Sequence, residues 1–192
     1  MNLINTIQEI HQNAINHGWW ETDHSTSESI VLIHSEWSEA VEEARAGRPM
    51  VWHEEYRDSE GKTVRTLPKP EGIAVELADG VIRIFDLFGK HGYRPSRQTA
   101  EELIRASRAA NPYITKETPL VDIVSAAHSL TARAGDMMLV YGPTEKACLA
   151  PLEACAGLVM CWLKLQGEDP VAVIKEKHQY NITRPYKHGK AF

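Results

Sequence analysis

Cysteine is scarce in this chain and unpaired in pattern. Cys148, Cys155 and Cys161 form an odd set without CxxC spacing, which excludes a disulfide framework and a zinc knuckle and leaves them as small buried apolar residues. Long hydrophobic runs are missing as well. No stretch approaches the roughly 20 apolar residues that span a bilayer, and the opening MNLINTIQEIHQNAINHGWWE lacks a cationic segment followed by an apolar block. The expectation is a cytoplasmic protein with no membrane partner. There is no GxxxxGKS or GxxxxGKT loop and no GxGxxG, so a glycine-rich nest for phosphates is excluded. Cations are in deficit, 21 Lys and Arg against 26 Asp and Glu for a formal charge of −5. Such a balance excludes broad attraction to a nucleic-acid polymer.

What is present is ordinary for a folded domain: 43% hydrophobic and 24% charged residues over 192 positions, enough to bury a core within a single unit, residues 1–192. Apolar residues recur at helical spacing. Leu3, Ile7, Ile10, Ala14 and Ile15 mark a helix over 2–18, and Ile30, Ile33, Trp37, Ala40, Val41 and Ala44 mark another over 27–46, ended by Gly47 and Pro49. Residues 50–72 turn polar around Asp58, Ser59, Glu60, Gly61, Pro68 and Pro70 and read as a loop with a small hairpin. The run IAVELADGVIRIFDLFG over 73–89 is apolar around most of its circumference and reads as a buried helix. Further helices are expected over 97–109, 119–134, 145–166 and 170–183. Short connections between long helices predict an all-α fold with an up-and-down, four-helix-bundle core and flanking helices.

Chemistry concentrates on two acidic pairs. Glu36 and Glu39 lie three apart on one face of the second predicted helix, with Glu43 a turn further, and Glu76 and Asp79 repeat the spacing in the third. Like charges so placed repel, and Glu76 and Asp79 sit among Ala74, Val75, Leu77, Ala78, Val81 and Ile82, where an unpaired carboxylate costs several kcal/mol. A positive group must meet them. Packed together, the two helices would offer four hard oxygen ligands suited to Mg²⁺, with Mn²⁺ an alternative. The run Glu36, Glu39, Glu42, Glu43 also fits a solvated acidic face, and Arg83, four residues after Asp79, is an alternative ion-pair partner. Near the C-terminus Lys177, Asn181 and Arg184 follow at i, i+4 and i+7. An ammonium, an amide and a guanidinium in a row fit a polyphosphate, though cations at a helix end also complement its dipole. Pro185 places Arg184 at that end.

These residues resemble a family. Glu36, Glu39, Glu76 and Asp79 in the order ExxE, loop, ExxD, together with HSEWSEAVEEAR, PEGIAVELADGVIRIFDL and KHQYNITRPYKHG, are similar to the MazG-like nucleotide pyrophosphohydrolases of the all-α NTP pyrophosphatase superfamily, which includes the dimeric dUTPases. The resemblance runs from about Trp19 to the C-terminus. It implies Mg²⁺-dependent hydrolysis of a nucleoside triphosphate to monophosphate and pyrophosphate, the four acids holding metal, one of them such as Glu39 serving as general base, and Lys177 and Asn181 contacting phosphates. Lys177 and Arg184 would lie across the phosphate chain from the metal, with Tyr180 and Trp20 as further substrate contacts. A homodimer or higher homo-oligomer is implied too. The connection from Ala40 to Val75 is longer than the family often has.

The sequence also suggests an internal repeat, the alternative being that all amphipathic helices align to some degree. Setting His34-Ser35 on His128-Ser129 and Glu76 on Glu153 maps Glu36 to Leu130, Glu39 to Arg133 and Asp79 to Ala156. An active half, about 19–92, would then pair with a degenerate half, about 118–184, each giving a helix pair to the core, as in the dimeric dUTPases. Trp19, Trp20 and His24 precede the acidic helix and are candidates to stack a base or to fill the core. His34, two residues before Glu36, points away from the acidic face. A di-metal oxidoreductase is disfavoured because the acidic motifs lack Glu-x-x-His. A non-catalytic nucleotide sensor, or a partner-binding bundle, is the alternative to an enzyme.

Overall fold

The computed structural model describes residues 1–22, 25–55, 67–142 and 145–186. Of these described residues 70% are helical, in seven helices beside a small two-stranded sheet. The helices start where side chains satisfy free backbone N–H groups. Helix α1 (Leu3–Asn16) is capped by Asn2, and α2 (Thr26–Arg45) by Ser25, whose Oγ accepts from the Glu28 amide. Helix α3 (Ile73–Lys90) follows Gly72, whose φ of +114° brings its backbone against the Met50 carbonyl so closely that a Cβ would meet it at 2.7 Å. Thr99 and Glu102 close a capping box on α4 (Ala100–Ala110). Helices α5 (Leu120–Tyr141), α6 (Ala150–Gln166) and α7 (Pro170–Ile182) complete the set; a 3₁₀ turn, Lys146–Leu149, leads into α6, and Asp169 caps α7.

The polar excursion between α2 and α3 contains the hairpin. Strand β1 (Trp52–Glu54) pairs antiparallel with β2 (Lys69–Glu71), His53 standing opposite Pro70. Trp52 ties it to α2 by donating from Nε1 to Glu43 at 2.8 Å. The Asp58 to Gly61 stretch and His24 lie outside the described residues.

Helix α3 is central, and its burial on nearly every side explains its near-continuous apolar sequence: α1, α2, α6 and α7 all pack on it. Helix α5 packs on α2 and α6, and α4 covers α6. The N-terminal caps of α1 and α4 meet, Asn2 bridging Thr99, with Leu3 donating to the Gln98 carbonyl and Ala100 to that of Met1. Two sequence expectations are corrected. Helix α5 continues past 134 to Tyr141, Met138 still buried but Leu139, Val140 and Tyr141 exposed. And the 21 residues Lys146–Gln166 are long and apolar enough to cross a membrane, contrary to the reading that no run is, yet most of that stretch is buried inside the fold. Its hydrophobicity follows from α3, α4 and α5 packing around it.

Candidate metal centre and adjoining cleft

Helices α2 and α3 approach unusually closely at Gly80, where a Cβ would lie 2.2 Å from the Trp37 ring. Trp37 is fully buried and anchored to α5 by donating from Nε1 to Thr131 Oγ1 at 3.0 Å. That close crossing carries the neighbouring residues together. Carboxylate oxygens of Glu36, Glu76 and Asp79 come within 4.8 Å of one another, with Glu36 only 4% and Glu76 6% exposed.

Cations answer part of this charge. Arg83 donates from Nε to Glu36 Oε1 at 2.5 Å, so its partner is Glu36 on α2 rather than Asp79 a turn back on α3. Lys177, 2% exposed, sits 3.1 Å from Asp79 Oδ2 and 3.4 Å from the Pro70 carbonyl. Asn181 donates from Nδ2 to Asp79 Oδ1 at 3.3 Å, while its buried Oδ1 has no partner among the described residues. Three acids against two cations leave one formal negative charge in a buried place. Burial pushes the Glu76 carboxyl up to about 8 and that of Glu36 to about 7; Lys177 and Arg83 respectively oppose the rise, and the neighbouring acids add to it. Burial alone would lower Lys177, but Asp79 and Glu76 hold it above its ordinary value.

The donor set fits a hard divalent cation. Three carboxylates supply oxygen ligands only, their mutual repulsion is what a cation would relieve, and the orphaned Asn181 oxygen adds unused acceptor capacity beside them. Glu36, Glu76 and Asp79 are the residues that would hold it.

Beside the acids opens a cleft of about 120 Å³. Asp79, Arg83 and Asp86 line it from α3, Asn181 and Arg184 from the C-terminal segment, and Trp20 from the segment after α1. Trp20 is fixed by an Nε1 hydrogen bond to Asp86 at 3.0 Å and by the Lys90 ammonium over its ring.

Other expected residues fall elsewhere. Glu39 is exposed and outside the acid cluster, because its position on α2 is a turn further toward solvent. Lys177 is corrected in place: it is buried on the acids' own side, paired with Asp79, and does not line the cleft. Tyr180 is buried and is not a lining residue either. Glu153, the acid left in the second half, is buried as a structural group, accepting from the Ser96 amide and hydroxyl and from the Tyr93 hydroxyl. Asp86 and the Glu36 bond of Arg83 were not foreseen. Asp86 carried the signal already used for Glu76 and Asp79, an acid inside an apolar helix, seven residues after Asp79 and so on the same face. No protein-family model, curated protein or solved structure matches this chain.

Proposed function

We propose that this chain is a Mg²⁺-dependent nucleoside triphosphate pyrophosphohydrolase of the MazG-like kind, cutting between the α and β phosphates. One observation carries the reading: three carboxylates from two helices, Glu36 and Glu76 buried and Asp79 half-buried, converge beside a cleft that also presents two arginines and two tryptophans. Oxygen ligands for a cation, guanidinium groups for phosphate and an indole for a base are the three things a metal-nucleotide complex requires.

Bound there, Mg²⁺ would supply Lewis acidity toward a phosphoryl oxygen and lower the pKa of water. The chain's residues do the rest. Glu36, Glu76 and Asp79 would hold the cation that draws in the α phosphate, while Asn181 and Lys177 fix the Asp79 carboxylate. Arg83, which donates from Nε to Glu36 and lines the cleft, would offer its remaining N–H groups to the phosphates. Glu39, exposed on α2 three residues after Glu36, remains the candidate general base.

The same proposal includes a four-helix core from two repeats. In its support, α2 packs on α3 as α5 does on α6, and α1 covers α3 as α4 covers α6. The active half keeps its acids and the other has turned Glu153 to structural use. A homo-oligomer is supported by the exposed apolar end of α5, Leu139, Val140 and Tyr141, and a cytoplasmic setting by three buried free thiols. The test is pyrophosphate release from a panel of nucleoside triphosphates with Mg²⁺ and with EDTA. Metal-dependent release is expected; nucleotide binding without release would make the chain a sensor.

A further inference from the structure

Three residues of α3 line the same wall of the cleft: Asp79, Arg83 and Asp86. From Asp79 to Asp86 is two helical turns, about 10 Å along the axis. A nucleoside spans a comparable distance from its 5′ oxygen to the far edge of its base, so a ligand whose phosphate lies at the acids would bring its base to Asp86. The surroundings there suit a flat ring, since Trp20, Ile10, Ala14 and Leu32 supply aromatic and aliphatic walls.

Asp86 is held in a fixed pose. Its Oδ1 accepts from Trp20 Nε1 at 3.0 Å and meets His11 Nδ1 at 2.7 Å. An indole N–H only donates, so this oxygen is kept as an acceptor. Among the described residues both bonds fall on Oδ1, which leaves Oδ2 to the cleft that Asp86 lines. The acid centre uses neither Asp86 nor its two partners.

We infer that Asp86 reads the base, making the cleft selective for nucleobases that carry an exocyclic amino group, cytosine, adenine or guanine, over uracil and thymine. A carboxylate accepts hydrogen bonds and offers none, which matches an amino group. Uracil and thymine flank their one ring N–H with two carbonyl oxygens, which a fixed carboxylate repels. The inference rests on the nucleotide reading above and names the substrate class within it.

The experiment is calorimetric titration of CMP, AMP, GMP, UMP and TMP into the wild-type protein with Mg²⁺, and into Asp86→Asn. The first three should bind at least about tenfold more tightly than the last two, the worth of one hydrogen bond to a charged group. Asparagine presents an N–H where the carboxylate had an acceptor, so Asp86→Asn should move the preference toward UMP and TMP. Equal affinity of the wild type for all five overturns the inference, and that result needs no variant to fold. Pyrophosphate release measured in parallel separates the two readings. Hydrolysis of every triphosphate with no base preference removes the role of Asp86 and leaves the hydrolase standing, whereas neither binding nor release removes both.

Discussion

His34 of α2 and His128 of α5 face each other Nδ1 to Nδ1 at 2.7 Å, their rings 5.0 Å apart and nearly parallel. One turn further along the same two helices Trp37 donates to Thr131. Both pairs are separated by 94 residues, the same offset at which the sequence sets His34-Ser35 on His128-Ser129. The contact joins α2 to α5.

That joint predicts a pH dependence. One nitrogen of the pair must donate and the other accept, so the contact cannot survive with both rings protonated. Burial lowers the pKa of His128, and burial followed by the charge of His128 lowers that of His34. Since the folded value lies below the ordinary 6.5, the unfolded chain takes up its proton first as pH falls. The pair's contribution is therefore present above about pH 6.5 and is lost below it. Thermal melts from pH 8 to pH 5 should show this decline, and His128→Asn should flatten it. An unchanged slope in the variant would place the titration elsewhere.

Removing single acids should separate charge from structure. Glu36→Gln and Glu76→Gln each take away part of a surplus negative charge, so metal-dependent turnover should vanish while the melting temperature in EDTA holds or rises. Glu36→Gln also releases Arg83 from its ion pair, which makes Glu76→Gln the more stable of the two. Turnover by either variant within tenfold of wild type, as a rough bound, would take that residue out of the centre.

Glu153→Gln should do the reverse. The carboxylate accepts from the Ser96 amide and hydroxyl and from Tyr93, and an amide cannot accept at both ends. Denaturant unfolding should show a loss of about 1–3 kcal/mol, with pyrophosphate release near normal. A turnover loss like that of Glu36→Gln would mean that the second half takes part in the chemistry.

Periodicity made the helices legible, because each buries one face; the starts were less so, α4 beginning at Ala100 after its Thr99 cap rather than at 97. The convergence of Glu36 with Glu76 and Asp79 was legible for an energetic reason: acids inside an apolar helix demand a partner. What decides which acid joins is finer than spacing. Glu39 shares the i, i+3 pattern yet is exposed, since the α2–α3 crossing is centred on Trp37 and Gly80. The partner of Arg83 and the depth of Lys177 depend on how α2 and α7 pack on α3, which no single segment encodes. The continuation of α5 past Gly135 was hidden because its last turns leave Leu139, Val140 and Tyr141 outside the apolar face.

The depth of Lys177 changes what its removal should do. From the sequence alone it would contact phosphate and touch stability little, whereas its ammonium is buried between Asp79 and the Pro70 carbonyl. Lys177→Ala strands the Asp79 carboxylate against Glu76 and Glu36, and breaking a buried pair on one side costs about 3–5 kcal/mol. Lys177→Met, which fills the space without the charge, should be nearly as costly. Arg184→Ala is the contrast, because Arg184 lines the cleft and no ion pair of its side chain is described; stability should stay within about 0.5 kcal/mol while kcat/KM falls on the order of tenfold to a hundredfold. Denaturant unfolding and pyrophosphate kinetics on the same preparations separate the two roles. If Lys177→Ala keeps its stability and loses only kcat/KM, the lysine serves the phosphates directly, and its bond to Asp79 is a resting contact that substrate replaces.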